Sequence, residues 1–136
     1  MRRVHEGGCQ CGALRYRFEG EPVALAVCHC TECQRQSGSA FGMSLLVPRS
    51  AFEMLRGEPK LYTRTSDAGR PVECAFCATC GTRIFHRPAR FPDTLNVKPG
   101  TLDDTSWLAP KMHVWTRSKQ RWVSIPEDVR RFEEQP

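Results

Sequence analysis

With 136 residues, the chain is long enough to bury one core and too short for two. Its hydrophobic fraction of 40% and charged fraction of 26% are those of an ordinary soluble globular domain, and no apolar run approaches the ~20 residues that cross a bilayer. The net charge of +5 invites a nucleic-acid partner, but the basic residues are dispersed and cysteine is counted as neutral. Seven thiolates holding two divalent cations would lower the charge by three, to +2, which argues against a nucleic-acid footprint.

The opening stretch "MRRVHEGGCQ" carries two arginines with no apolar segment behind them. It does not read as a secretory signal, and a cytoplasmic location is expected. Eight cysteines then need a use other than disulfides, which a reducing compartment disfavours. Clustered cysteines in that setting point to metal, and a C-x-C pair is too tight for an easy disulfide.

In chain order, "GGCQCG" supplies Cys9 and Cys11, whose side chains face the same way on an extended segment. "ALRYRFEG" alternates Leu14, Tyr16 and Phe18 with Arg15, Arg17 and Glu19, the pattern of a half-buried strand. After the turn at Gly20-Glu21-Pro22, "PVALAVC" reads as a more buried strand ending at Cys28. Cys28 and Cys30 then share a face, with His29 pointing away. Thr31 and Gln34 make a capping-box pattern, predicting a short helix from Thr31 to about Gly38 with Cys33 in its first turn. A helix start favours anions and lowers a thiol's pKa. Arg35 lies just beyond Cys33 on that helix.

Further strands are predicted over "AFGMSLLV", "KLYTRT", "PVECAF", "TRIFHR", "TLNVKPG" and "KMHVWTR". Between the third and fourth of these lies "CATCG", a C-x-x-C-G turn with Cys77 and Cys80. Asp103 and Asp104 are expected to bond their own backbone in a turn. His113 and Trp115 are expected on one strand face. His113 admits a proton-shuttle reading, but a hydrogen-bonded structural histidine beneath a core tryptophan is preferred. The tail "PEDVRRFEEQP" suggests a second short helix opened by Pro126. The expected fold is therefore β-rich with one or two short helices, in a single domain over residues 1–136.

One C-x-C and one distant C-x-x-C make Cys9, Cys11, Cys77 and Cys80 a four-thiolate set suited to a closed structural zinc. Cys28, Cys30 and Cys33 are three. They form either an open site of the catalytic type, or a second closed site completed by Cys74 or His29, and spacing leaves both readings standing.

The motifs "GGCQCGALRY", "CHCTECQRQSG", "CATCGT", "GTLDD" and "HVWTRSKQRW" occur in the order found in the glutathione-dependent formaldehyde-activating enzyme family (the CENP-V/GFA domain), which the chain resembles from about Gly7 to its tail. The resemblance implies a β-tent fold and two zinc ions, one structural on Cys9, Cys11, Cys77 and Cys80 and one labile and catalytic on Cys28, Cys30 and Cys33. It further implies a carbon–sulfur lyase that condenses glutathione with formaldehyde, or acts on a related thiol adduct. Glutathione carries two carboxylates, so the resemblance makes Arg35 the candidate substrate-binding residue; its ordinary alternative is a solvated surface position. Cys74 falls outside that pattern and is read as structural. The competing class is a non-catalytic zinc module that binds a protein or nucleic acid, marked by a contiguous surface and no pocket at the three cysteines.

Overall fold

A computed structural model describes residues 3–66 and 68–136. Its strands are β1 (Val4–Gly8), β2 (Arg15–Glu19), β3 (Ala24–Cys28), β4 (Gly42–Pro48), β5 (Phe52–Arg56), β6 (Lys60–Thr65), β7 (Pro71–Phe76), β8 (Arg83–Pro88), β9 (Thr94–Val97), β10 (Met112–Val114) and β11 (Arg130–Arg131), with one helix, α1 (Thr31–Ser37), between β3 and β4. The mainly-β expectation holds. Among the described residues no helix is long and apolar enough to cross a membrane. The chain gathers into two compact units: residues up to Val23 with Leu45–Trp107, and Ala24–Ser44 with Leu108–Pro136.

In the first unit, β1, β2 and β5 form an antiparallel three-stranded sheet in that order. The alternation read in β2 is realised: Leu14, Tyr16 and Phe18 are buried, while Arg15, Arg17 and Glu19 are partly exposed. Phe52 of β5 stacks on Tyr16 at 5.2 Å between ring centroids and meets Phe85 edge-on at 5.3 Å. A second antiparallel ladder runs from Leu45–Pro48 of β4 through β9, β8 and β7 to β6. Leu45, Val47, Ile84 and Val97 are among its fully buried side chains, the apolar area whose removal from water stabilises the unit.

In the second unit, β10 lies parallel between β3 and β11. Two expectations fail here. The tail does not continue as a helix from Pro126. It makes one turn, Val129 N–H to Pro126 O, and then extends, with Phe132 N–H donating to His113 O and Trp115 N–H to Glu134 O. A segment this short gains little from isolated helix formation, and pairing with β10 wins. Trp115 does not share a strand face with His113: β10 stops at Val114, and Trp115 takes the left-handed conformation (φ 56°) that breaks the alternation.

Candidate functional site

The sulfurs of Cys9, Cys11, Cys77 and Cys80 all lie within 4.8 Å of one another, as do those of Cys28, Cys30 and Cys33. The first group is brought together in the first unit by the β1–β2 connection and the β7–β8 turn. Cys9 Sγ and Cys11 Sγ are 3.6 Å apart, and Cys11 Sγ and Cys77 Sγ 3.7 Å. Tetrahedral zinc with Zn–S of 2.3 Å requires an S···S edge of about 3.8 Å, so the donor set fits the ion. Donors surround the sulfurs as thiolates require. Leu14 N–H points to Cys9 Sγ at 3.2 Å, and Cys80 N–H to Cys77 Sγ at 3.5 Å. Thr82 Oγ1 accepts the Gln10 amide, which leaves its own proton for Cys80 Sγ at 3.2 Å. That hydroxyl, followed by the Thr82 amide, pulls the Cys80 thiol down to about 5. At Cys11 the Ala13 amide also lowers the pKa, but the Cys9 sulfur, burial and the sulfurs of Cys80 and Cys77 outweigh it and push it up to about 11. Crowded thiols resist sharing negative charge until a cation joins them.

The second group is built locally. β3 ends at Cys28, Cys30 caps α1 and Cys33 sits in its first turn. The cap is not the Thr31 box expected from sequence: Cys30 Sγ itself accepts the Cys33 amide at 3.3 Å, and the Gln34 side chain turns elsewhere. Gly38, left-handed at φ 61°, ends the helix as expected. All three cysteines are half-buried and so within reach of solvent. The Cys28 thiol is pushed far above its ordinary value, by the adjoining Cys30 and Cys33 sulfurs first and burial after them. Among the described residues no fourth His, Cys, Asp or Glu donor joins the three within the same separation. His29 is committed elsewhere. Its ring is fully buried, its Nε2 is 2.8 Å from His113 Nδ1, and the rings stack at 5.1 Å with Phe41 edge-on at 5.6 Å. Burial lowers the pKa of both histidines, so both stay neutral and one donates to the other. His113 is thus buried and hydrogen-bonded, with a histidine rather than the expected tryptophan beside it.

Arg35 is exposed on α1 and, with Gln34, Gly38, Ser39, Ala40 and Gln120, lines a shallow, open hollow of about 410 Å³. Cys74 is fully buried in β7 and opposite His86 of β8, consistent with a packing role. Asp104 makes the expected turn, accepting from Ser106 N–H at 2.9 Å. Asp103 departs from expectation: its carboxylate takes a two-pronged bond from Arg15, at 2.9 and 2.5 Å. Sequence reasoning missed Thr82, Gln120 and the His29–His113 pair, and read Gln34 only as a capping residue. Of those missed, Thr82, two residues beyond Cys80, offered a local signal.

Residues 4–118 match the family described as GFA, glutathione-dependent formaldehyde-activating enzyme. A Halomonas elongata protein that carries the provisional name glutathione-dependent formaldehyde-activating enzyme is 25% identical over 125 residues, 88% of this chain and 80% of that protein. A Penicillium rubens protein with the same provisional name is 27% identical over 107 residues, 75% of this chain and 54% of that longer protein. The crystal structure of a Rhodobacter sphaeroides protein superposes with a TM-score of 0.57 at 21% identity, covering 75% of this chain and 91% of the other, and so shares the fold. With the match spanning most of the chain and both cysteine groups inside it, this protein belongs to the glutathione-dependent formaldehyde-activating enzyme family.

Proposed function

We propose that the chain is a zinc-dependent carbon–sulfur lyase of the GFA type, working in a reducing, cytoplasmic setting and joining glutathione or a related thiol to formaldehyde. The observation that carries this reading is the pairing of a four-thiol cluster with a separate three-thiol cluster that has no fourth protein donor among the described residues. Cys9, Cys11, Cys77 and Cys80 would hold a structural zinc, and Cys28, Cys30 and Cys33 a second, labile one. Zinc bound by the three thiols would supply a cation able to hold a substrate sulfur as thiolate or to polarise a carbonyl oxygen.

The reaction balances without redox change. The thiol sulfur bonds to the aldehyde carbon, the C=O π pair moves to oxygen, and the proton that leaves sulfur ends on that oxygen as a hydroxymethyl thioether forms. The chain's own residues bind and orient. Arg35, which lines the open hollow, would meet a glutathione carboxylate.

The test uses cobalt in place of zinc, because thiolate-bound Co²⁺ absorbs according to its ligands. Glutathione should change the spectrum of the three-cysteine site alone, and S-methylglutathione, which has no thiol to offer, should change it much less. NMR exchange between free and adduct formaldehyde should exceed the enzyme-free rate. An unchanged spectrum at millimolar glutathione, with exchange equal to the control, would defeat the reading.

A further inference from the structure

The side chain of Gln34 is the hub of a one-way hydrogen-bond chain that the chemistry above does not use. Its Nε2 donates to His29 O at 2.8 Å and to Ser118 O at 3.0 Å. Its Oε1 accepts from Gln120 Nε2 at 3.1 Å, and Gln120 Oε1 accepts from the indole N–H of Trp122 at 2.7 Å. The direction of the chain is fixed at both ends. Two carbonyls can only accept, and an indole N–H can only donate, so neither amide can be turned over without losing its bonds.

The inner end of this chain lies in the frame of the thiols. His29 O belongs to the peptide between Cys28 and Cys30, and the backbone N–H of Gln34 donates to Cys30 O at 3.0 Å. Gln34 therefore grips two successive peptides of the segment that aims two of the three sulfurs. Its own helical neighbour, Cys33, is the third. The outer end lies at the hollow: Gln34 and Gln120 both line it, and Trp122, bonded to Gln120, is 72% exposed. Around the chain, Lys119 Nζ fixes the loop by donating to Val123 O at 2.6 Å and Gln120 O at 3.1 Å.

We propose that Gln34 is the positioning residue of the three-cysteine site, and that Gln120, itself fixed by Trp122, holds it in the required orientation. The inference rests on the reading that Cys28, Cys30 and Cys33 bind a metal. Bonds behind the ligands typically govern about 10- to 100-fold of metal affinity, because they hold ligand geometry in place before the ion arrives.

Two variants test it in the full chain with the four-cysteine site loaded, by Co²⁺ titration and absorption at the three-cysteine site. Gln34→Leu removes all the side-chain bonds at similar bulk, and should weaken Co²⁺ about tenfold and shift its absorption. Gln120→Glu keeps the bond from Trp122 but turns an acceptor toward Gln34 Oε1, so Gln34 must release His29 and Ser118. It too should weaken Co²⁺. The sign is decisive, since an added negative charge acting through space would tighten cation binding. Unchanged or tighter Co²⁺ in Gln120→Glu overturns the proposal, as does Gln34→Leu within twofold of the parent. Should Gln34→Leu fail to fold, the half-exposed Gln120→Glu still decides. Glutathione added to the unsubstituted cobalt protein tests the function reading separately. A silent spectrum there, with weakened Co²⁺ in both variants, would sink the substrate and keep the positioning role.

Discussion

All four histidines of the chain are buried, and burial holds each below the ordinary imidazole value. The effect is largest at His86 in β8, where burial and then Lys98, Arg83 and Arg64 push the pKa down to about 2 from 6.5. His86 Nε2 faces Arg83 Nη1 at 3.3 Å and accepts from it, so the folded chain keeps the ring neutral. The unfolded chain binds the extra proton between those two values. Stability from this residue is therefore complete above pH 6.5 and is lost as pH falls from there towards 2. Replacing His86→Gln should flatten the pH dependence of urea unfolding between pH 6 and 4 by up to about 1.4 kcal/mol per pH unit, while changing it little above pH 7. A slope equal to the parent's would show that His86 is already charged in the folded state. Tyr16 makes a smaller contribution that is constant near neutral pH, because burial pushes its pKa up to about 12. Thr101 Oγ1 gives its proton to Lys98 O, so the buried Tyr16 hydroxyl donates to Thr101 at 2.7 Å. Tyr16→Phe should cost about 0.5–1.5 kcal/mol in urea unfolding at neutral pH.

At the scale of elements, the three-cysteine site is a product of one strand end and one helical turn, so losing a ligand should not unravel either unit. Cys28→Ser or Cys33→Ser should abolish the labile metal equivalent while leaving unfolding within about 1 kcal/mol of the parent; a collapse in Tm matching a Cys9 variant would make the site structural instead. These local elements were legible for a physical reason. Strand alternation in "ALRYRFEG" and the stretch closed by Gly38 act over a few residues, and both appear where expected. β1 was not legible, because its glycines carry no side-chain pattern. Gly7 is there because of close approach: a Cβ would come within 2.4 Å of Thr101 O and 2.5 Å of Tyr16 Oη. β5 hid for the opposite reason, since its exposed and half-exposed residues show no apolar alternation. The tail misled because Pro126 is a sound helix-opening signal that the pairing of Phe132 and Glu134 beside β10 overrides.

At the scale of the whole chain, the two cysteine groups could be read because the C-x-C and C-x-x-C spacings constrain geometry by themselves. The contacts behind them could not. His29 and His113 are 84 residues apart and Gln34 and Gln120 are 86 apart, and only tertiary folding joins them. The two cysteine groups also differ in what they tie together. The three-thiol group closes a span of six residues. Cys11 and Cys77 stand 66 residues apart, and their cluster fastens the β1–β2 connection to the β7–β8 turn inside the first unit. Metal bound there would therefore be coupled to folding, as in small zinc modules, where the apparent binding energy is on the order of 10–16 kcal/mol. Cys9→Ser should lower stability by more than about 4 kcal/mol and yield largely insoluble protein. Graded chelation should separate the two groups without mutation. A mild chelator should remove one zinc equivalent with the far-ultraviolet circular dichroism unchanged, and a strong one should remove the second together with the sheet signal. Release of both equivalents in a single step, or retention of the sheet after both are gone, would mean that the four-thiol cluster does not hold the first unit together.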